Sequence, residues 1–202
     1  MTYNNDIKKT LVIIPCYNEE KRLKTNEFIQ FSKNNKNIHF LFVDDGSQDK
    51  TLKVIKALCK EIKHSIYLIL KINKGKGEAI RQGLNSVVKN LNDYEFVGYL
   101  DADLSVPLNE ITEFLAVINK NKNLKFIMGI RVVRLGAKIH QKKSRQYLGR
   151  ILAFNVSFIL KENVHDTQCG FKLIHSSIIT KLFKDEFISK WLFDIELITR
   201  FK

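Results

Sequence analysis

Short apolar stretches alternate with longer amphipathic stretches between residues 10 and 128. The apolar stretches have the length of strands and are rich in β-branched and aromatic residues, which predicts β-structure. The predicted strands are Thr10–Ile14, Ile38–Val43, Ile66–Leu70, Phe96–Leu100 and Phe126–Met128. Between them apolar residues recur at helical spacing, and the predicted helices are Glu20–Lys33, Lys50–Ile62, Gly77–Lys89 and Asn109–Asn119.

This order of elements predicts the fold class. Alternating strands and helices favour an α/β protein with a Rossmann-like, mostly parallel sheet and helices on both faces. After Met128 the pattern changes to a basic segment and two further predicted helices, Arg145–Leu160 and Lys190–Phe201. Because neither a repeat nor a low-complexity linker interrupts the chain, we expect one domain over residues 1–202.

Acidic residues stand where two of the predicted strands end, which is where open parallel sheets bind ligands. Asp44 and Asp45 could accept hydrogen bonds from a base and a ribose, whereas Ser47 or Asp49 could simply cap the next helix. Asp101 and Asp103 flank one small residue after the fourth strand. Such a pair can hold a hard divalent cation that also binds substrate phosphates.

A basic loop with two glycines, Asn73–Gly77, follows the third strand. Its glycines permit close approach of the backbone to a ligand, and its lysines place positive charge near an anion. The alternative is a basic turn that only leads into the next helix. No glycine-rich phosphate loop follows the first strand, which disfavours a dinucleotide-binding fold.

The net charge favours anionic partners. Lys and Arg total 34 against 21 Asp and Glu, a formal charge of +13, which suits nucleic acid, phosphorylated substrates or an anionic membrane surface. Compositional drift accounts for the surplus equally well, because the lysines are scattered along the whole chain. We expect no nucleic-acid partner, since no nucleic-acid-binding motif accompanies the charge.

The cysteines and the apolar stretches bear on the compartment. Three widely spaced cysteines without a CxxC pair argue against a disulfide framework or a zinc site and favour a reducing compartment. No signal peptide is visible, and no apolar stretch approaches the roughly 18 residues of a membrane span. We therefore expect a cytoplasmic protein, with the cytoplasmic face of a membrane as an alternative location.

Six motifs together resemble glycosyltransferase family two, which has the GT-A fold, and within it the dolichyl- and polyprenyl-phosphate glucosyltransferases. The resemblance runs from Leu11 to the last residue, and because the family continues further it leaves open a domain cut short at its C-terminus. The first four motifs indicate the family and the last two its polyprenyl-phosphate branch. They are IPCYNEEKRL (Ile14–Leu23), VDDGSQDKT (Val43–Thr51), NKGKGEAIRQG (Asn73–Gly83), LDADLSVP (Leu100–Pro107), HDTQCGFKL (His165–Leu173) and WLFDIELI (Trp191–Ile198).

The resemblance implies roles for individual residues. The residues that would hold the nucleotide-sugar donor, with uridine as the base, are Pro15, Tyr17, Glu19, Asp44, Asp45, Lys76 and Arg131. Asp101 and Asp103 would bind Mg²⁺ or Mn²⁺ and the diphosphate, and would count with Asp166 and Glu196 as catalytic residues. The residues on the acceptor side would be Lys142, Lys143, Arg145, Gln168 and Trp191.

Some of these residues have a purely structural alternative. Arg131 stands in Gly-Ile-Arg where the family has Gly-Ser-Arg, a departure at the middle position. Trp191 can be a packing residue, because aromatic side chains mostly serve burial. Asp194, in a motif whose acids would face the sugar, can equally form a cap or a salt bridge. Cys169 is expected to be a small buried residue and not a nucleophile.

The reaction that the resemblance implies is inverting transfer of a hexose, glucose or a related sugar, from a UDP-sugar to polyprenyl phosphate. An acceptor phosphate is already ionised at neutral pH, so no strong general base is needed. A second possibility is transfer to a glycan or lipid hydroxyl, which would need a carboxylate base such as Asp166 or Glu196. A third is a non-catalytic module that binds a nucleotide sugar.

The basic segment Lys138–Arg150 and the apolar stripe of Ile151, Phe154 and Phe158 match a phosphate head followed by a lipid tail. The alternative is a helix packed on the sheet with solvated lysines. A Lys142→Glu, Lys143→Glu, Arg145→Glu variant should keep UDP binding but lose transfer to polyprenyl phosphate and binding to anionic liposomes. Each basic residue near such a surface contributes about 1 kcal/mol, and the attraction weakens as salt rises. Full transfer by this variant would contradict the assignment.

Overall fold

The computed structural model describes residues 9–129, 169–189 and 192–201. Its strands are β1 (Lys9–Cys16), β2 (Ile38–Asp45), β3 (Ser65–Leu70), β4 (Tyr94–Leu100), β5 (Phe126–Met128) and β6 (Phe171–His175). Its helices are α1 (Thr25–Asn34), α2 (Thr51–Glu61), α3 (Lys76–Ser86), α4 (Asn109–Lys120), α5 (Ser176–Leu182) and α6 (Phe193–Phe201), with a 3-10 helix over Val88–Asp93. The predicted helix Arg145–Leu160 lies outside the described residues.

The described strands form a six-stranded sheet in the order β3-β2-β1-β4-β6-β5. β1 pairs in parallel with both β2 and β4, and β2 pairs in parallel with β3. β6 pairs antiparallel with β4 and with β5. The expectation of a mostly parallel sheet is therefore confirmed, but β6 was not expected, because its five residues include the charged Lys172 and do not form a continuous apolar stretch.

The predicted first helix starts too early. Glu20 belongs to a turn, and α1 begins only at Thr25. The backbone N–H groups of Arg22 and Leu23 both donate to the carbonyl of Glu19 at 2.9 Å, which closes that turn. The predicted third helix also ends sooner than expected, at Ser86, where the chain passes into the 3-10 helix.

Helices cover both faces of the sheet, as expected. Phe28 of α1, Ile55 of α2 and Ile111 of α4 pack on one face, in the same buried cluster as Phe42 of β2. The other face is covered by α3, α5 and α6, whose core residues include Ile80, Ile179 and Leu197. Within the described ranges, no helix combines the length and the apolar character that crossing a membrane requires.

Helix α3 packs against the sheet through a glycine. A Cβ atom added at Gly83 would lie 2.8 Å from Cγ2 of Val43 and 3.2 Å from Cγ2 of Ile13. Both neighbours are buried strand residues with little room to move, so the backbone of α3 lies as close to the centre of the sheet as the missing side chain allows.

Gly83→Ala should therefore lower the free energy of unfolding by about 1–3 kcal/mol, the usual effect of overpacking a core. Helix propensity alone would raise it by about 1 kcal/mol. Asn85→Ala, at an exposed position of the same helix, is the matched control and should be neutral or slightly stabilising. Urea unfolding of the two variants measures the difference, and a Gly83→Ala protein as stable as the wild type would contradict the close contact.

Candidate active site

Residues at and just after the carboxyl ends of β1, β2, β3 and β4 line one cleft. The cleft has a volume of about 270 Å³. Its walls are formed by Pro15, Cys16, Tyr17, Glu19, Asp45, Asn73, Gly75, Lys76, Asp101, Ala102 and Asp103. Of the described residues to which the sequence assigns a donor or metal role, the fold brings all but Asp44 together in this cleft. Glu196, to which the sequence assigns a catalytic role, does not line the cleft either.

The loops after β1 and β2 are held to each other by hydrogen bonds. The backbone N–H of Asn18 donates to Oγ of Ser47 at 3.0 Å, and the N–H of Gln48 donates to Oδ1 of Asn18 at 2.9 Å. The N–H of Glu19 donates to Oγ1 of Thr51 at 2.6 Å. Since these bonds run in both directions between the loops, this wall of the cleft is fixed by the protein itself.

The two adjacent acids at the end of β2 have different surroundings. Asp45 lines the cleft, and its carboxylate accepts the N–H groups of Lys74 at 2.8 Å and Gly75 at 2.9 Å. Asp44 is buried, is not among the cleft-lining residues, and accepts the N–H of Ser47 at 3.1 Å. Asp45 thereby holds the basic loop 73–77 against the end of β2.

Asp49 contacts the start of α2 from the position before the N-cap, which is Lys50 and not Asp49 as the capping alternative predicts. Its carboxylate accepts the N–H of Thr51, the first residue of that helix, at 2.9 Å. It also accepts the N–H of Glu20 at 3.2 Å, which adds a further link between the two loops.

The charged groups of the cleft meet after β4. Nζ of Lys76, in the first turn of α3, lies 2.5 Å from Oδ1 of Asp101. The chain turns directly afterwards, with the N–H of Leu104 donating to the carbonyl of Asp101 at 3.1 Å. Asp103 is exposed, and its Oδ1 accepts the N–H of Ser105 at 2.9 Å. Both carboxylates therefore reach the cleft from one short turn.

Glu19 adds a third carboxylate to the cleft wall. Oε1 accepts a hydrogen bond from the Arg22 guanidinium at 2.7 Å, while Oε2 is buried and has no hydrogen-bond partner among the described residues. Burial raises the pKa of the Glu19 carboxyl, and the guanidinium of Arg22 opposes that rise. The negative charges of Asp103 and Asp101 raise this pKa further.

The carboxylates of Asp101 and Asp103 fit a divalent cation that is shared with a substrate. Mg²⁺ and similar ions prefer oxygen ligands and usually take one or two protein carboxylates, with phosphates and water completing the shell. In the described part of the chain, no three His, Cys, Asp or Glu side chains converge to enclose a metal by themselves. The donor set is thus suited to a cation that arrives with a phosphorylated ligand.

Two acids of the last motif, on α6, do not line the cleft. Glu196 accepts hydrogen bonds from Arg200 at 2.8 Å and from the N–H of Ile188 at 2.9 Å, and is not a cleft-lining residue. Asp194 is buried and forms the salt bridge that its structural alternative predicts, with Lys172 at 2.5 Å. The remaining predicted site residues lie outside the described residues: Arg131, Lys142, Lys143, Arg145, Asp166, Gln168 and Trp191.

Lys172 and Tyr99 have no predicted role, although both are close to the cleft. Lys172 is fully buried in β6, and Tyr99 of β4 donates its hydroxyl proton to Asp194. Burial lowers the pKa of Lys172, which the charge of Asp194 opposes, and burial raises the pKa of Tyr99. The one signal in the sequence was a lysine inside the otherwise apolar FKLIH stretch.

Glu19→Gln should stabilise the protein at neutral pH. A raised pKa means that the folded state binds the Glu19 proton more tightly than the unfolded state does, so wild-type stability falls as the pH rises above the ordinary value near 4.3. Glutamine avoids this loss, and its advantage should vanish near pH 4. Thermal unfolding at both pH values measures the effect, because about 1 kcal/mol shifts Tm by ~2–4 °C for a domain of this size.

The exposed Glu113 of α4 provides the control for this measurement. Glu113→Gln should give the same Tm as the wild type at both pH values. A Glu19→Gln protein whose Tm difference from wild type does not change with pH would contradict the burial of an ionised Glu19.

Sequence comparison finds relatives along most of the chain. The dolichyl-phosphate beta-glucosyltransferase of Homo sapiens is 28% identical over 215 residues, covering 97% of this chain and 64% of that protein. The protein of the same name from Saccharomyces cerevisiae is 29% identical over 209 residues, covering 93% of this chain and 60% of that protein. The chain thus spans only about three fifths of the length of these curated relatives.

Solved structures with the same fold are more distant in sequence. Glucosyl-3-phosphoglycerate synthase from Mycobacterium tuberculosis, in complex with Mn²⁺, UDP-glucose and phosphoglyceric acid, superposes with a TM-score of 0.68 at 18% identity, covering 95% of this chain and 64% of that chain. S. aureus TarS 1–349 in complex with UDP gives a TM-score of 0.59 at 16% identity, covering 95% of this chain and 55% of that chain. These likenesses show that the chain has the GT-A fold.

The family assignment rests on the sequence as a whole. The family model described as "Glycosyl transferase family 2" matches residues 11–183, which include every cleft-lining residue and the six strands of the described sheet except the first two residues of β1. This chain therefore belongs to glycosyl transferase family 2.

Proposed function

We propose that this chain transfers a hexose, glucose or a related sugar, from a UDP-sugar to polyprenyl or dolichyl phosphate, with inversion at the anomeric carbon. The observation that carries the proposal is the meeting of Lys76, Asp101 and Asp103 in one cleft, beside two loops held rigidly to each other. Cationic and metal-binding groups next to a preformed wall suit a nucleotide diphosphate. The names of the curated relatives, dolichyl-phosphate beta-glucosyltransferases, support the acceptor class.

The nucleoside would occupy the end of the cleft formed by the first two strands. Tyr17 is about two-fifths exposed there, so its ring is accessible to a base. Pro15 and Asp45 line the same end, and Asp44 supports it from behind through its hydrogen bond with Ser47. Glu19 completes the wall on the side of the phosphates.

The diphosphate would lie towards Asp101 and Asp103. These two residues would hold Mg²⁺ or Mn²⁺, and the ion would neutralise the charge that grows on the leaving UDP. Lys76 contributes an ammonium group at the N-terminus of α3, where the helix dipole also favours an anion. Arg131, outside the described residues, is the further cation that the sequence assigns to the donor.

The transfer itself would be one displacement. A phosphate oxygen of the acceptor forms a bond to the anomeric carbon, while the bond from that carbon to the UDP oxygen breaks and its electron pair leaves with UDP. Because the attacking oxygen is already ionised, the protein contributes orientation and electrostatic stabilisation more than proton transfer. Glu196 is engaged with Arg200 and Ile188 away from the cleft wall, which favours this chemistry over one that uses Glu196 as a base.

Two other functions fit the same donor site. A glycan or lipid hydroxyl could be the acceptor, with Asp166 as the candidate base, or the chain could bind a nucleotide sugar without catalysis. A screen of UDP- and GDP-sugars with Mg²⁺ or Mn²⁺, with and without polyprenyl phosphate, separates these functions. Transfer that depends on polyprenyl phosphate supports the proposal, and sugar transfer that does not need it would overturn the acceptor assignment.

Asp101→Asn and Asp103→Asn should each reduce metal-dependent turnover about a hundredfold, since losing one preorganised charge contact costs ~3 kcal/mol in the transition state. Tm should change little, because Asp103 is exposed and Asp101 only partly buried. Asp185→Asn removes the same charge at an exposed position outside the cleft and should have no effect on turnover. Wild-type turnover in both cleft variants would remove this pair from the active site.

A further inference from the structure

A charged pair lies buried beneath the cleft, on the face of the sheet covered by α3 and α6. Nζ of Lys172 is 2.5 Å from Oδ1 of Asp194 and donates to the carbonyl of Cys169 at 2.9 Å. The hydroxyl of Tyr99 donates to the same Oδ1 of Asp194, and the Lys172 ammonium lies 5.3 Å from the centre of the Tyr99 ring. Lys172 is 0% exposed and Asp194 4%, so water solvates neither charge appreciably.

Stability alone does not account for this arrangement. Apolar side chains of similar volume usually stabilise a core as well as a buried ion pair does, because removing both charges from water is costly. The neighbours on this face, Val97 and Ile174, are fully buried apolar residues. The contacts of Lys172 and Asp194 with residues next to the cleft indicate a role beyond packing.

One connection leads from Lys172 to Asp101. The carbonyl that Lys172 binds belongs to Cys169, and the next carbonyl, that of Gly170, accepts the N–H of Asp101 at 3.2 Å. Gly170 also lies directly against the Asp101 side chain, since an added Cβ would be 2.2 Å from Oδ2. A displacement of residues 169–170 would therefore move the Asp101 carboxylate.

A second connection leads from Asp194 to Lys76. The rings of Tyr99 and Phe193 each lie 5.7 Å from Nζ of Lys76, and the two ring centres are 5.7 Å apart. Tyr99 is fixed by its hydrogen bond to Asp194, and Phe193 directly precedes Asp194 in α6. The surface on which the Lys76 ammonium rests is thus held by the same carboxylate.

We propose that Asp194, Lys172 and Tyr99 form a positioning unit, which sets the places of Asp101 and Lys76 in the cleft without touching the substrate. Lys172 fixes Asp101 through the 169–170 backbone, and Asp194 fixes the two rings beneath Lys76. The proposal rests on the proposed function in one respect, that Asp101 and Lys76 serve the diphosphate and its metal ion.

The main test uses a double variant, Lys172→Met with Asp194→Asn, which removes both charges and leaves no unpaired buried ion. Calorimetry measures its affinity for UDP in the presence of Mn²⁺, and ligand-observed NMR its affinity for uridine. We expect UDP affinity with Mn²⁺ to fall at least tenfold while uridine affinity stays within twofold of wild type. A merely structural role would weaken both ligands together.

Two further variants separate positioning from stability. Tyr99→Phe keeps the ring under Lys76 and removes only the hydrogen bond to Asp194, so it should fold and show a loss of roughly threefold in the same direction. Ile174→Val shortens a fully buried side chain on the same strand and face as Lys172 and lies outside both connections. It should lower Tm without changing either affinity.

A measurement without ligand completes the test. Hydrogen exchange of the Asp101 amide, which donates to Gly170, should be at least tenfold faster in the double variant. In Ile174→Val it should be no faster than the lower stability of that variant accounts for. The positioning role would be overturned if the double variant and Tyr99→Phe both kept the exchange rate and the UDP affinity of the wild type. It would also be overturned if Ile174→Val lost as much UDP affinity as the double variant. If wild-type protein does not bind UDP with Mn²⁺, the donor site itself is wrong, whereas the exchange result still decides the coupling to Asp101.

Discussion

The parallel pairing of β1 with its two neighbours is the constraint on which the rest of the structure depends. Because β1 lies between β2 and β4 and points the same way as both, their carboxyl ends must open at the same edge of the sheet. Residues far apart in sequence, such as Tyr17, Asp45 and Asp101, therefore line one cleft. The strand directions bring these residues near one another, and the hydrogen bonds between the loops then fix the loops in place.

The sequence predicts these features well where a local pattern decides them. Strands β1 to β5 each contain a mostly apolar stretch, and the acids at the end of β2 and after β4 are visible as motifs. The antiparallel β6 is hidden because Lys172 interrupts its apolar pattern, and only its partner Asp194, distant along the chain, makes a buried lysine acceptable. Likewise, adjacent acids look equivalent in sequence, yet Asp45 lines the cleft and Asp44 does not, because successive side chains of a strand point in opposite directions.

One residue of the cleft, Glu19, is expected to lower the free energy of unfolding at neutral pH. Glu19 is held in a buried position where one oxygen has no hydrogen-bond partner among the residues that the structure describes, close enough to Asp101 and Asp103 for their charges to raise its pKa. These two negative charges disfavour the ionised form of Glu19, and a cation bound beside them would reduce that repulsion. The hydrogen bond from the N–H of Glu19 to Oγ1 of Thr51 holds the backbone of Glu19 in this position.

The reversed direction of β6 has a consequence for how such a domain can change. β5 ends and β6 begins at the same edge of the sheet as the cleft, with Met128 beside Lys172 and the N–H of Gly129 bonded to the carbonyl of Phe171 at 3.3 Å. The two ends of the intervening segment, residues 130–168, are thus attached next to each other. Such a segment can be lengthened or replaced without altering the sheet register, because closing a longer loop costs little. The register of the described sheet, and with it the part of the cleft formed at the ends of β1, β2 and β4, therefore does not depend on the length of residues 130–168.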